Sequence, residues 1–339
     1  MLQSHSFPEV AALELTYNCN HNCFFCSCPW EAIPGYKQDE LSLEEWKDVI
    51  NTLLRAGVKS FTLTGGEPLT RSDLRDIIQY ISEKQAGIVL ISNGRAMDDT
   101  MLEYLSQYRI TLCISLPGIN SFQDHTGIDN VQNVLSIFER ARSLGISTTA
   151  NITVTKRNLN ELYENIALPL IHGADYVLLN RFLPGGRGLN NTDCLLSVEE
   201  TNAMLDIAED VLSKAKRYGH VGTELPLCAI KKIDLYKHIQ VGTKCAAAKG
   251  FCVIDPSGYL KVCNHSPIRV CHYSELGSLG NNEYWLAFQN QNYLPDMCSE
   301  CDKKDLCDGG CREAAHVMFG KINDSDPIFY STSNKISLM

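Results

Sequence analysis

Short apolar runs alternate with amphipathic segments along the first half of the chain. Apolar positions three and four residues apart are typical of helices, and short apolar runs bounded by turn residues are typical of buried strands. Ser42 and Glu45 have the spacing of a capping box, which predicts a helix from there to Arg55, ended by Gly57. The pattern predicts six strands, over residues 10–16, 61–63, 88–91, 110–115, 147–154 and 176–179. It predicts further helices between them, near residues 73–83, 99–107, 131–143 and 160–171.

Six strands that alternate with helices predict a parallel sheet with right-handed crossover connections. The fold class is therefore α/β. Because a closed barrel of this kind has eight strands, the pattern favours an open (β/α)6 partial barrel. Chemistry in such folds lies at the carboxyl ends of the strands, so the loops that follow the strands are where a functional site is expected.

The chain of 339 residues contains 15 cysteines, an unusually large number in an otherwise ordinary composition. An odd count without an export signal argues against a disulfide framework, and clustered cysteines in a reducing compartment are typical of metal sites. Cys19, Cys23 and Cys26 form a C-x3-C-x2-C group directly after the first predicted strand. Three thiolates can bind three irons of a [4Fe–4S] cluster and leave the fourth iron open. The alternative is half of a zinc site, although such sites generally pair two C-x2-C units.

The net charge and the first residues of the chain bear on whether the protein binds nucleic acid or a membrane and whether it is secreted. The net charge of −10 argues against a nucleic-acid substrate, because phosphate backbones are bound by basic surfaces. No apolar run reaches the ~18–20 residues that span a bilayer. The first residues show no basic region followed by an apolar stretch, so no secretory signal is predicted. We therefore expect a cytoplasmic protein that binds neither nucleic acid nor a membrane.

A second motif follows the second predicted strand, where Thr64-Gly65-Gly66-Glu67-Pro68 forms a glycine-rich turn. In this chain order, the cysteine triad and the turn resemble the radical S-adenosylmethionine (radical SAM) superfamily. The resemblance implies that the open iron binds SAM and that one-electron reduction yields a 5′-deoxyadenosyl radical. It also implies that Phe25 contacts the adenine of SAM, and that Gly65, Gly66 and Glu67 bind its amino group.

Polar residues at the ends of later strands match further positions that hold SAM in this superfamily. By this resemblance, the residues that contact the ribose hydroxyls and the carboxylate of SAM are Ser92, Ser115, Asn151 and Arg181. The stretch Ser115-Leu116-Pro117-Gly118 lacks the Asp that is common at its third position in the family. No residue is assigned a catalytic role.

After about residue 219 the sequence has few long periodic segments and is rich in Cys, Gly, Pro and Asn. We therefore place a domain boundary near residue 230. Residues 1–230 are expected to form the radical SAM core and residues 231–339 a second, cysteine-rich domain. The second domain resembles the SPASM domain, which binds two auxiliary [4Fe–4S] clusters. The resemblance assigns the first auxiliary cluster to Cys245, Cys252, Cys263 and Cys311, and the second to Cys298, Cys301 and Cys307. Two zinc sites are the alternative.

The family pattern usually supplies a last cysteine after an Asp-Pro pair, but no cysteine follows Cys311 in this chain. The second auxiliary cluster is therefore left with three assigned thiolates. Candidates for the missing ligand are Cys271, Asp324, Asp326 and an exogenous molecule, and an open iron could also bind substrate. Cys194 and Cys228 receive no role.

Proteins that this architecture resembles mostly modify peptides or proteins. The resemblance predicts a maturase that modifies a ribosomally synthesised precursor peptide by cross-linking, epimerisation or backbone excision. Because only 18 residues precede Cys19, we expect the leader to be bound by a separate leader-peptide-binding protein or by the SPASM surface. The expected electron donor is of the flavodoxin or ferredoxin type. The alternatives are a radical SAM enzyme of haem- or quinone-type cofactor biosynthesis and a non-catalytic iron–sulfur electron carrier.

Overall fold

The structure of the protein is a computed structural model that describes residues 7–330. The first residues of the chain, on which the prediction of no secretory signal rests, lie outside the described residues. Within residues 7–330, no helix is both long enough and apolar enough to cross a bilayer.

The described residues form one sheet flanked by helices. Its strands are β1 (Val10–Glu14), β2 (Ser60–Thr64), β3 (Gly87–Ser92), β4 (Ile110–Ser115), β5 (Ser147–Val154), β6 (Tyr176–Arg181), β7 (Gly219–Val221), β8 (Ile239–Val241), β9 (Phe251–Ile254), β10 (Tyr259–Lys261) and β11 (Cys271–His272). The α-helices are α1 (Leu43–Ala56), α2 (Leu74–Glu83), α3 (Asp99–Leu105), α4 (Phe122–Thr126), α5 (Val131–Ser143), α6 (Leu162–Ile171), α7 (Val198–Ala215), α8 (Glu283–Gln289) and α9 (Arg312–Phe319).

The six predicted strands are present, and most of their ends lie within one or two residues of the predicted positions. The predicted capping box also forms, since the backbone N–H of Glu45 donates to Ser42 and the Glu45 carboxylate accepts from the Ser42 N–H at 2.8 Å. These agreements follow from local chemistry, because caps and apolar runs act over only a few residues.

The sheet has the strand order β11-β10-β9-β1-β2-β3-β4-β5-β6-β7-β8. Strands β1 to β8 pair in parallel in chain order, and β9 pairs in parallel with the other edge of β1. Strands β10 and β11 are antiparallel. The predicted α/β class with a parallel sheet is confirmed, and the short strands β7 and β8 extend it beyond the six predicted. The boundary near residue 230 stays a prediction, because the sheet is continuous on both sides of it.

The strands bury one face against the helices. On β2, Phe61 and Leu63 are fully buried in the same apolar cluster as Trp46 and Ile50 of α1. Alternation places the intervening residues on the opposite face, where Thr64 lines a cavity at the end of the strand. The apolar face thus stabilises the fold, and the other face is available for a site.

A buried ion pair joins the end of β6 to the C-terminal region. The two terminal nitrogens of Arg181 donate to the two carboxylate oxygens of Asp326 at 2.9 and 2.6 Å. Asp326 also accepts from the backbone N–H groups of Cys311 and Ile328 at 2.7 and 2.9 Å. Both charged side chains are almost completely buried, so each depends on the other for solvation.

Replacement of Asp326 by Asn is therefore expected to lower the free energy of unfolding by about 3 kcal/mol, since it leaves a buried guanidinium without a counter-charge. The matched control is Asp210→Asn, which removes the exposed partner of Lys214 and should lower the free energy of unfolding far less, because solvent screens this pair. Urea unfolding followed by circular dichroism measures both. Equal losses in the two variants would contradict this account of the buried pair.

Candidate active site

A cavity of about 450 Å³ opens at the carboxyl ends of the parallel strands. Parallel strands point the same way, so the loops that follow them meet at one edge of the sheet. The cavity brings together every residue that the sequence analysis assigned to SAM: Phe25, Gly65, Gly66, Glu67, Ser92, Ser115, Asn151 and Arg181. The thiols of Cys19, Cys23 and Cys26 line the same cavity.

The cysteine triad occupies the loop after β1, and that loop is tied to the turn after β2. Gly66 donates its backbone N–H to Thr16 and Glu67 donates to Asn18, both at 2.7 Å. A hydrogen bond with Cys28 lowers the pKa of the Cys26 thiol to about 7, which favours the thiolate form that iron requires. Burial raises the pKa of the Cys23 thiol in the absence of such a partner.

The two glycines of the turn are required by close backbone packing. Gly65 has a φ of +132°, and a Cβ at this position would lie 2.8 Å from the carbonyl oxygen of Thr16. A Cβ on Gly66 would overlap the carbonyl of Asn18 in the cysteine loop. Only glycine allows the two loops to approach this closely.

Glu67 is a buried carboxylate that holds the loops after β2 and β3 together. It accepts hydrogen bonds from the Ser92 hydroxyl at 2.8 Å, from the Asn93 N–H at 2.7 Å and from the Leu69 N–H at 3.1 Å. Burial raises its pKa, and these three donors oppose that effect. Because the Ser92 hydroxyl donates its only proton to Glu67, it can act only as a hydrogen-bond acceptor towards SAM.

The other predicted SAM contacts differ in how free they are to bind a ligand. Ser115 and Asn151 are register partners on β4 and β5, and Asn151 accepts from the Asn180 amide at 2.9 Å. Arg181 directs its terminal nitrogens to Asp326 and, at 2.7 Å, to a backbone carbonyl. Its Nε alone has no hydrogen-bond partner within the described part of the chain. Contacts between these residues and SAM stay predictions.

Three of the four cysteines assigned to the first auxiliary cluster also line the cavity: Cys245, Cys263 and Cys311. Burial raises the pKa of the Cys263 thiol, and the nearby charges of Glu313, Cys311 and Cys245 raise it further. These three thiols therefore lie close to one another on the wall of the cavity.

Cys252, the fourth cysteine assigned to this cluster, does not line the cavity, and its assignment as a ligand stays a prediction. Cys252 lies on β9 between Phe251 and Val253, whose side chains point to the opposite face of the sheet. Of these two neighbours, Phe251 lines the cavity. Cys252 instead packs in the apolar core with Ala11 of the neighbouring strand. Since side chains alternate along a strand, a ligand position at 251 would face the cavity, whereas position 252 cannot.

The cysteines assigned to the second auxiliary cluster form a separate group outside the cavity. Burial raises the pKa of Cys298, and its charged neighbours include Cys307 and Cys301. The candidates for the missing ligand of this group make other contacts. Cys271 lies at the sheet edge beside Ser278 and Glu275, and both Asp326 oxygens already bind Arg181.

Asp324 accepts a hydrogen bond from the backbone N–H of Lys321 at 3.0 Å, which closes a local turn. Within residues 7–330, no three histidine, cysteine or acidic side chains converge closely enough to hold a single metal ion.

The sequence analysis missed several polar residues on the cavity wall or beside it. Glu14 at the end of β1 forms a buried ion pair with Lys261 at 2.8 Å and accepts from Asn264 at 3.1 Å. The sulfur of Cys28 lies 3.7 Å from the carbonyl oxygen of Gly65. Glu14 could have been identified as a candidate from the sequence, because it is an acidic residue at the carboxyl end of a predicted strand. The contact of Lys261 with Glu14 could be found only from the fold.

A sequence model described as the radical SAM superfamily matches residues 13–168 of the chain. This range contains the cysteine triad, the Gly-Gly-Glu turn and strands β2 to β5. Residues 13–168 form a radical SAM domain. The predicted family is thereby confirmed, and the family implies a [4Fe–4S] cluster and SAM as cofactors.

Similarity to known proteins extends beyond the radical SAM domain and covers nearly the whole chain. The chain is 26% identical to an AdoMet-dependent heme synthase from Methanosarcina barkeri, over 96% of this chain and 97% of that protein. It is also 26% identical to a PqqA peptide cyclase from Granulibacter bethesdensis, over 94% and 86% respectively. Both relatives are named as enzymes, which agrees with the prediction of a radical SAM enzyme.

The fold is shared with the solved structure of Streptococcus suis SuiB bound to the precursor peptide SuiA. The TM-score is 0.74 at 14% sequence identity, and the likeness covers 95% of this chain and 75% of SuiB. The shared architecture therefore includes the region beyond residue 168.

Gly66→Ala is expected to weaken SAM binding by at least about tenfold, or about 1.4 kcal/mol, because the added Cβ must push the turn away from the cysteine loop. Calorimetric titration of the anaerobically reconstituted protein with SAM measures the change. The control is Gly280→Ala, where no heavy atom lies within 4 Å of the added Cβ. Unchanged SAM affinity in Gly66→Ala would show that the close approach of the loops is unimportant for binding.

Proposed function

We propose that this radical SAM enzyme is a maturase that modifies a ribosomally synthesised precursor peptide. The single observation that carries the proposal is the shared cavity, which is lined both by the triad at Cys19 and by three cysteines of the C-terminal region, Cys245, Cys263 and Cys311. A substrate held there lies within reach of both groups of thiols. This arrangement suits an oxidative change to the substrate, because an electron released by the substrate has an acceptor nearby.

The residues of the cavity fit the implied cofactors. Gly65 and Gly66 allow the backbone after β2 to lie directly against the cysteine loop at the cavity wall. Two buried nitrogen atoms on the cavity wall, His21 Nε2 and Arg181 Nε, have no hydrogen-bond partner among residues 7–330. A ligand with carboxylate and hydroxyl groups, such as SAM, would satisfy groups of this kind.

Each part of the chain has a distinct task in this proposal. Cys19, Cys23 and Cys26 hold the cluster that binds SAM. When bound, this cluster and SAM supply the radical that removes a hydrogen atom from the substrate. Glu67 keeps the turn and the loop after β3 in place, and Phe25 provides an apolar surface for the adenine. The remaining SAM contacts are assigned to Gly65, Gly66, Ser92, Ser115, Asn151 and Arg181.

The C-terminal region is proposed to hold two auxiliary [4Fe–4S] clusters. Cys245, Cys263 and Cys311 bind the first cluster at the wall of the cavity. Cys298, Cys301 and Cys307 bind the second cluster away from it. A cluster held by Cys245, Cys263 and Cys311 would supply an electron acceptor beside the substrate, and a cluster held by Cys298, Cys301 and Cys307 would supply a second redox centre outside the cavity.

The names of two similar proteins support the proposal of a peptide substrate. One is a PqqA peptide cyclase, and the other was solved with the precursor peptide SuiA. We further propose that a separate leader-peptide-binding protein delivers the precursor and that a flavodoxin or ferredoxin supplies electrons in the cytoplasm.

Anaerobic incubation with SAM and dithionite is expected to release 5′-deoxyadenosine, measured by chromatography. With a precursor peptide encoded nearby, mass spectrometry should show the loss of two hydrogen atoms for a cross-link, no change for epimerisation, or a large loss for excision. The control is the triple variant Cys19→Ala, Cys23→Ala, Cys26→Ala. Deoxyadenosine formation without any change in peptide mass or stereochemistry would contradict the peptide substrate, but not the radical SAM assignment.

Cofactor biosynthesis of the haem type is a second candidate. It is favoured by the likeness to the heme synthase, which extends over 97% of that protein. The same incubation with a tetrapyrrole precursor in place of the peptide separates the two candidates. Turnover of the tetrapyrrole, together with an unchanged peptide, would replace the maturase proposal.

A further inference from the structure

Cys228, which the sequence analysis left without a role, lies beside the second group of C-terminal cysteines. It belongs to a short 3-10 turn, Leu227–Ala229, that follows β7. The backbone N–H of Leu227 donates to the sulfur of Cys307 at 3.3 Å. This contact places the turn directly against the group, although Cys228 is far from it in the sequence.

Electrostatic effects between the thiols support the same placement. Cys228 lies close enough to Cys307 and Cys301 to interact with both electrostatically. It interacts in the same way with Cys298. Each of the three assigned ligands of this group therefore interacts with Cys228 or with its turn.

The surroundings of the group suit a set of thiolates. The sulfur of Cys307 accepts a second backbone hydrogen bond, from Gly309 at 3.3 Å. Hydrogen bonds to cysteine sulfur stabilise the thiolates of iron–sulfur sites. Arg312 contributes positive charge near Cys298. In a cubane each thiolate binds a different iron, so its ligands stand further apart than the ligands of a single ion.

We propose that Cys228 supplies the fourth thiolate of the second auxiliary cluster, together with Cys298, Cys301 and Cys307. This inference rests on the auxiliary cluster of the proposed function and identifies its missing ligand. Cys228 loses its thiol proton when it binds iron. The ligand comes from the segment between β7 and β8 rather than from the end of the chain. With four thiolates, this cluster has no iron open to substrate and is suited to electron transfer.

The first test is an alkylation footprint, which requires no mutation. Cys228 is solvent-exposed in the described structure, so iodoacetamide should label it readily in the apoprotein. After anaerobic reconstitution, mass spectrometry should show at least tenfold lower labelling of Cys228, Cys298, Cys301 and Cys307 together.

The outcomes of the footprint are distinguishable. If Cys298, Cys301 and Cys307 are protected while Cys228 still reacts, the cluster exists and Cys228 is not its ligand. If all four cysteines still react, the auxiliary cluster itself is absent and the proposed function loses that part. Labelling of Cys19 reports the radical SAM cluster independently.

The second test uses variants in a background that lacks the triad, with Cys19, Cys23 and Cys26 replaced by Ala. Cys228→Ala should lose up to one cluster's iron, or give the electron paramagnetic resonance signal of a [3Fe–4S] centre. Cys228→Ser, which can still ligate iron, should retain more iron than Cys228→Ala. Cys271→Ala is the matched control and should keep the iron content and Mössbauer spectrum of its parent. Identical spectra for Cys228→Ala and the parent would overturn the proposal, provided that circular dichroism shows both to be folded.

Discussion

Parallel pairing on both edges of β1 is the constraint on which the rest of the structure depends. Strands β2 and β9 run in the same direction as β1, so the carboxyl ends of all three lie at the same edge of the sheet. The cysteine loop follows β1 and the Gly-Gly-Glu turn follows β2. Because β9 enters the sheet here, the C-terminal region is packed beside the loop that carries the triad rather than attached by a free linker.

Close packing of backbone on backbone then sets the geometry of the site. The turn after β2 approaches the cysteine loop so closely that the position of Gly66 has no space for a side chain. The buried carboxylate of Glu67 binds backbone and hydroxyl donors from the neighbouring loop. Hydrogen bonds hold Glu67 in one place, as a site that binds a cofactor by several weak contacts requires. His21 Nε2 and Arg181 Nε on the cavity wall, in contrast, have no hydrogen-bond partner among residues 7–330.

The ion pair of Arg181 and Asp326 links stability to the site. Asp326 neutralises a guanidinium on the cavity wall and also accepts a hydrogen bond from the backbone N–H of Cys311. Loss of this carboxylate would therefore disturb a cysteine of the first auxiliary group as well as the fold. This pair and a backbone carbonyl occupy the terminal nitrogens of Arg181, which leaves its Nε without a partner among residues 7–330.

The sequence by itself determined the six parallel strands, the capping box at Ser42 and the two motifs of the radical SAM domain, because these depend on spacings of a few residues. Tertiary structure alone decided which C-terminal cysteines meet. Alternation along β9 turns Cys252 into the apolar core, and the turn after β7 brings Cys228 to Cys307. Neither could be found from spacing, since a strand's orientation and a contact between distant segments are set by the packing of the whole sheet.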